Sequence, residues 1–198
     1  WKISARLLCD DLFIAPGNPG TAQCGSNGAL DVADHAAVIG FCQARKIDFV
    51  VVGPEASLVA GLVDDLSAAG IKAFGPTRAA ARIEGSKVFA KQLMRHADVP
   101  TAEFRVFDHP EPARTYVESR EYPVVVKADG LAAGKGVVVC KDTADALKAI
   151  ERIMVREEFG RSAGRQIVIE KRLEGVELSL LALVSGRAIL PLPPTQDH

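Results

Sequence analysis

What this sequence lacks narrows its class first. No apolar run approaches the roughly 20 residues that cross a bilayer, and no secretory leader is visible, so we expect a soluble chain working in the cytoplasm. Cysteine is scarce: Cys9, Cys24, Cys42 and Cys140 stand far apart, without the close pairing that a metal knuckle or redox motif needs, and read as small core residues in a reducing compartment. A surplus of either charge is missing. Lys and Arg number 24 against 25 Asp and Glu, for a net charge of -1, which offers nothing to nucleic acid and forms no acidic tail. No adjacent Cys/His pair offers a nucleophile for covalent catalysis, and His35, His96 and His109 read as ordinary surface or helix residues. No Gly-x-Gly-x-x-Gly is present to support a dinucleotide oxidoreductase, and no internal repeat or low-complexity tract appears.

What is present is ordinary globular material, 48% hydrophobic and 25% charged over 198 residues, enough for one or two domains. The first 82 residues alternate strand and helix. Leu12–Ala15 and Phe49–Val52 are short apolar runs closed by Pro-Gly or Gly-Pro, which suits strands buried on both faces. Asp34 can cap a helix from His35 to Arg45, Leu58, Leu62 and Leu66 mark a second helix ending at Gly70, and Lys72–Phe74 gives another strand. This βαβ rhythm predicts a doubly wound parallel sheet. Trp1–Cys9 reads as the body of a helix, and the chain reads as an excerpt of a longer protein, lacking the first strand and the C-terminal part.

A helix over 86–97 follows. Beyond Thr101 the style changes: strands at Phe104–Phe107, Val124–Ala128, Val137–Cys140 and Ile167–Leu173 alternate with helices near 111–119 and 143–158, predicting a small, mostly antiparallel α+β module. Leu178–Val184 and Ala188–Leu192 form a hairpin through Ser185-Gly186-Arg187.

Chemistry concentrates in residues 124–139. Two β-branched runs flank Asp129-Gly130-Leu131-Ala132-Ala133-Gly134-Lys135-Gly136, a loop whose glycines let backbone N–H groups approach an anion while Lys135 adds charge. It is no Walker A loop, because three residues rather than four separate the glycines and a strand follows. Alone it fits a polyphosphate cradle and a flexible hairpin equally well. Lys127 shifts the weight. It sits in an apolar strand on the face opposite Val124, Val126 and Ala128, where a lysine wants a partner, although an edge lysine snorkelling to water is the competing reading. A third segment, Glu170-Lys171-Arg172-Leu173 with Glu177, offers backbone groups to an adenine edge and a carboxylate to ribose hydroxyls. In isolation it would pass for a solvated charge run.

The order Ser86-Lys87, Lys127, glycine loop, Glu170–Leu173 resembles the ATP-grasp superfamily. Within it Ala15-Pro16-Gly17-Asn18-Pro19-Gly20-Thr21-Ala22, Val52-Gly53-Pro54-Glu55, Phe74-Gly75-Pro76, Glu84-Gly85-Ser86-Lys87 and Pro194-Thr195-Gln196-Asp197-His198 are similar to the phosphoribosylamine–glycine ligase family; Ser57 stands where that family would have proline. The resemblance implies an ATP-grasp fold divided as an N-terminal domain over 1–82, a lid over 104–173, and an incomplete central domain from 83–103 and 174–198. It implies ATP with Mg²⁺ or Mn²⁺, and glycine and 5-phosphoribosylamine as substrates. Lys87 and Lys127 should then meet nucleotide phosphates, beneath the loop containing Asp129, Gly130, Gly134, Lys135 and Gly136. Glu170, Lys171 and Leu173 should frame adenine, and Glu177 the ribose. Gly17, Asn18, Pro19, Gly20, Thr21 and Glu55 should line the amino-sugar side, with Asp197 nearby. No catalytic residue is singled out, and the family's metal carboxylates have no counterpart in this chain. A different ATP-grasp carboxylate–amine ligase, or a non-catalytic nucleotide-binding module, are the alternatives.

Overall fold

The computed structural model describes residues 1–6, 9–131 and 135–196. Gly134 and Asp197, both expected at the site, lie outside them. In the N-terminal part β1 (Phe13–Ile14) pairs in parallel with β2 (Ser26–Asn27), and β3 (Val50–Val51) pairs in parallel with β4 (Ala73–Phe74). The parallel pairing is as expected, but the described strands form two separate two-stranded pieces. Their burial corrects the sequence reading. Phe49 is 55% exposed, Val51 53% and Phe74 46%, because a two-stranded piece has too few neighbours to cover both faces. Residues 1–6 form turns instead of the expected helix, with Ala5 N–H donating to Trp1 C=O at 3.1 Å.

Helix α1 (His35–Ala44) starts where Asp34 accepts from the Ala37 N–H at 3.0 Å, the expected cap. The next expected helix is broken in two, α2 (Glu55–Ala60) and α3 (Leu62–Ala68). The cause is Gly61, at φ +91°, beside the Arg78 guanidinium that donates to the freed Ala60 carbonyl at 2.7 Å. A Cβ at Gly61 would sit within 3 Å of that guanidinium, so the break needs glycine. Val38, Cys42, Val52, Leu62, Val63 and Leu66 pack into one core, to which the imidazole of His35 adds a 2.6 Å contact with Asp65. Helix α4 (Arg78–Gly85), capped by Thr77, has no counterpart in the sequence reading. It leads directly into α5 (Lys87–His96), capped by Ser86 through the Phe89 N–H at 3.0 Å.

The second core is continuous. Strands β5 (Phe104–Phe107), β6 (Val124–Ala128), β7 (Val137–Val139) and β8 (Ile167–Lys171) form one antiparallel sheet in the order β5-β8-β6-β7. One face, with Val124, Val126, Ala128, Ile167 and Ile169, packs on α6 (Pro110–Glu118) and α7 (Thr143–Ile150) around Val117, Ile150 and Ile153. The helix expected over 143–158 instead passes into a π-helical turn at 151–155, and a one-turn helix α8 (Arg161–Gly164) follows it. The expected hairpin is β9 (Ala182–Ser185) and β10 (Ala188–Pro191), paired antiparallel and exposed throughout. Among the described residues no helix is long and apolar enough to cross a membrane.

Candidate functional site

Strand alternation decides which side chains of the four-stranded sheet are free for chemistry. With Val124, Val126 and Ala128 turned to the core, Lys127 is delivered to the opposite face, as its place in the sequence demanded. Glu170 comes to the same face from β8. Lys127 Nζ donates to Glu170 Oε2 at 3.0 Å, and Lys91 Nζ of α5 stands 3.2 Å from Oε1. The two contacts differ in kind. The first has hydrogen-bond geometry, whereas Oε1 has an ion-pair neighbour but no aligned donor. The Glu170 side chain is only 7% exposed, so these lysines are what make its burial tolerable.

Two residues beyond Lys127 the chain turns to the start of α5. Asp129 accepts from Ser86 Oγ and from the Val88 N–H, each at 3.1 Å, which places a carboxylate on a helix N-terminus where free N–H groups and the dipole favour it. Lys87 Nζ donates to the Gly130 carbonyl at 2.8 Å, with Gly130 at φ +85°. The loop closes at its other end through Gly136, whose carbonyl accepts from the Ala128 N–H at 2.7 Å; Lys135 beside it is exposed. Lys87, Lys127, Asp129 and Gly130 are thus joined at one corner. Asp129 anchors that corner, and the lysines supply its positive charge.

The residues expected to frame adenine and ribose differ in what already holds them. Glu170's carboxylate is occupied by the lysines, and its backbone is paired on both sides, with Phe104 and Val125. Lys171 turns its side chain away, 5.2 Å over the Tyr122 ring, and its N–H is used by Glu103 C=O at 2.9 Å. Leu173 is 70% exposed, and Glu177 is also exposed.

The second group lies at the carboxyl end of β1, the end at which open α/β sheets receive ligands. Asn18 Oδ1 accepts from the N–H groups of Gly20 and Thr21 at 2.9 and 3.0 Å, making a one-turn 3₁₀ helix from Thr21 to Gln23. The Thr21 hydroxyl is 2.8 Å from Asn27 Oδ1 and 2.9 Å from Asn18 C=O, and its one proton serves one of them at a time. Asn27 Nδ2 donates to Asn18 C=O at 2.8 Å. Gly17, at φ +76°, leaves no room for a Cβ against Asn27. Pro19 lies within this turn, and Glu55 opens α2 just after β3, exposed. Sequence reasoning missed Asn27, which locks the loop from a second strand, and Lys91. The spacing of Lys91 four residues from Lys87 was visible, but its acidic partner was not.

The family follows from two matches that together span residues 1–198. Residues 1–84 match the phosphoribosylglycinamide synthetase N domain, and residues 85–198 match the ATP-grasp (A) domain of the same enzyme family. The chain belongs to the phosphoribosylglycinamide synthetase family. It is 52% identical over 204 residues to the phosphoribosylamine–glycine ligase of Rhodopirellula baltica, and 48% identical over 202 residues to the trifunctional purine biosynthetic protein adenosine-3 of Homo sapiens. All of this chain is covered in both, against 46% of the first relative and 20% of the second, so the chain spans about half the length of the single-function relative. The crystal structure of a phosphoribosylamine–glycine ligase from Thermotoga maritima superposes with a TM-score of 0.74 at 32% identity, over 93% of this chain and 43% of that one. An ADP complex of the ATP-grasp N5-carboxyaminoimidazole ribonucleotide synthetase shares the fold, with a TM-score of 0.66 at 20% identity over 92% of this chain and 46% of that one. ATP-grasp ligases of this kind use ATP with a divalent metal.

Proposed function

We propose that the protein carrying this chain joins glycine to 5-phosphoribosylamine at the expense of ATP, in the cytoplasm, giving glycinamide ribonucleotide, ADP and phosphate. The observation that carries the reading is the corner where Lys127, Lys87 and the root of the 129–136 loop meet, in a chain of this family. Mg²⁺ or Mn²⁺ is proposed to accompany the ATP. Among the described residues no group of three or more His, Cys, Asp or Glu converges to hold an ion.

A carboxylate resists an amine because it is anionic and has no good leaving group. In the proposed reaction a glycine carboxylate oxygen attacks the γ-phosphorus of ATP, ADP departs, and glycyl phosphate forms. The amine of phosphoribosylamine then attacks the carbonyl carbon, phosphate leaves with the former carboxylate oxygen, and the new amide nitrogen loses a proton. Such transfer needs positioned positive charge more than a protein nucleophile. Lys127 and Lys87 supply it. Lys87 exchanges the neutral Gly130 carbonyl for an anionic phosphate oxygen, which adds charge–charge attraction to a bond its ammonium already assists. Lys135, Gly136 and Gly134 belong to the loop proposed to cover the phosphates. Lys171 and Leu173 are proposed to frame adenine through their backbone, Glu170 through the lysine it holds, and Glu177 to receive the ribose. The turn from Gly17 to Thr21, with Glu55 and Asp197, is proposed for the amino sugar phosphate.

We also propose the division into an N-terminal domain over 1–82, a lid over 104–173 and a central domain contributed by 83–103 and 174–198. The test of the nucleotide assignment is Lys127→Ala in the full-length protein. ATP affinity or kcat/KM for ATP should fall about tenfold or more, as loss of one charge-assisted hydrogen bond of about 1.5–3 kcal/mol implies. Unchanged kinetics with unchanged nucleotide affinity would remove Lys127 from the site.

A further inference from the structure

We infer that Lys91 is a positioning residue for nucleotide binding: it keeps the buried Glu170 carboxylate paired while Lys127 turns to phosphate. The inference rests on the nucleotide reading above and deepens it. Glu170 divides its two oxygens between lysines of different elements, Lys127 of β6 at 3.0 Å and Lys91 of α5 at 3.2 Å. Lys91 is the more enclosed of the two, its side chain 13% exposed against 26% for Lys127. It is also the more tightly held, since it donates to Thr101 Oγ1 at 2.5 Å and lies 5.7 Å over the Phe104 ring. Nothing in the proposed reaction uses it.

The chemistry of an enclosed carboxylate supplies the role. Leaving such a group without a counter-ion is strongly unfavourable. If Lys127 were its sole partner, phosphate would have to compete against that whole ion pair before Lys127 could turn. A second ammonium fixed at the other oxygen removes the competition. One lysine stays and the other is free to move. Two ammoniums and one carboxylate also leave a positive charge over, the sign that a polyphosphate requires, whereas Lys127 and Glu170 alone sum to zero. Spacing makes this possible within one helix. Lys87 and Lys91 are four residues apart and share a face of α5, so the helix presents one lysine to the loop and the next to Glu170.

A double-mutant cycle on ATP affinity in the full-length protein, measured by calorimetry with Mg²⁺ present, tests this. Lys91→Met should weaken ATP binding about tenfold where Glu170 is present, but less than about threefold in a Glu170→Gln background, where no carboxylate competes for Lys127. Its effect should fall on KM for ATP, with kcat at saturating ATP nearly unchanged. Lys91→Arg, which keeps the charge, should bind ATP within about threefold of the unmutated protein. Equal losses in the two backgrounds would overturn the inference, as would a Lys91→Met protein of unaltered affinity. A tenfold loss in folded Lys91→Arg would do the same, which keeps the test decisive if Lys91→Met does not fold. Failure of the unmutated protein to bind ATP would remove the nucleotide reading itself, and this inference with it.

Discussion

Residues 104–171 and residues 13–85 draw on the same valine- and alanine-rich vocabulary, yet among the described residues the first set builds a four-stranded sheet with one face packed in a core, and the second only two-stranded pieces. In the antiparallel module each central strand has a partner on both edges, and Val126, Val168, Ile167 and Ile169 are fully buried. In the N-terminal part the parallel strands are two residues long and paired singly, so Val51 and Phe74 stay about half exposed. The difference teaches where the rigidity of the proposed site comes from. Lys127 and Glu170 are held by a complete ladder, whereas the turn from Gly17 to Thr21 is held chiefly by its own side-chain hydrogen bonds.

The largest expected effect tests that contrast in the cores. Ile169→Ala should lower unfolding stability by about 2–5 kcal/mol in urea titrations, as truncation of a fully buried residue does, while Val51→Ala should change it by less than about 1 kcal/mol. Equal losses at the two positions would erase the distinction. Next in size is Gly61→Ala, expected to destabilise by about 1–3 kcal/mol, because alanine would hold a left-handed backbone against the Arg78 guanidinium. Smaller again is Asn27→Ala. Losing its bonds to Asn18 and Thr21 should lower the thermal midpoint by an amount equivalent to about 1 kcal/mol, and should raise KM for the amino sugar more than KM for ATP.

The smallest effect concerns thiols. Burial pushes Cys140 up to about 11, so it stays protonated and enclosed at pH 8, and iodoacetamide should modify it far more slowly than the half-buried Cys9 and Cys24. The sign for stability follows. Between the ordinary value of 9.0 and about 11 the folded chain keeps a proton that the unfolded chain releases, so this thiol makes stability decline as pH rises through that window.

Legibility followed the same division. The strands at 104–107 and 124–128 and the Asp34 cap were readable because each depends on local alternation or a single capping side chain. The face of Lys127 was readable for the same reason. Partners brought by topology were not. Glu170 and Lys91 lie 79 residues apart in the sequence and meet through the pairing of β8 with its neighbours and the packing of α5, which no local pattern announces. Gly61 was hidden inside a leucine periodicity that ran straight through it, and only Arg78, seventeen residues on, explains the break. The place of the Lys171 side chain, over Tyr122 on the face opposite Glu170, follows from strand alternation once the register of β8 is fixed.

Lysine labelling read by mass spectrometry tests the central claim, that the face bearing Lys87 and Lys127 receives the nucleotide, more directly than any substitution. The full-length protein would be reductively methylated with and without ATP and Mg²⁺, at ATP about ten times its Kd. Labelling of Lys87 and Lys127 should then slow about tenfold, in proportion to the free fraction, while Lys141 and Lys148, exposed next to or on α7 across the sheet, should react at the same rate in both conditions. Unprotected Lys87 and Lys127, or protection of Lys141 and Lys148 in their place, would contradict the account.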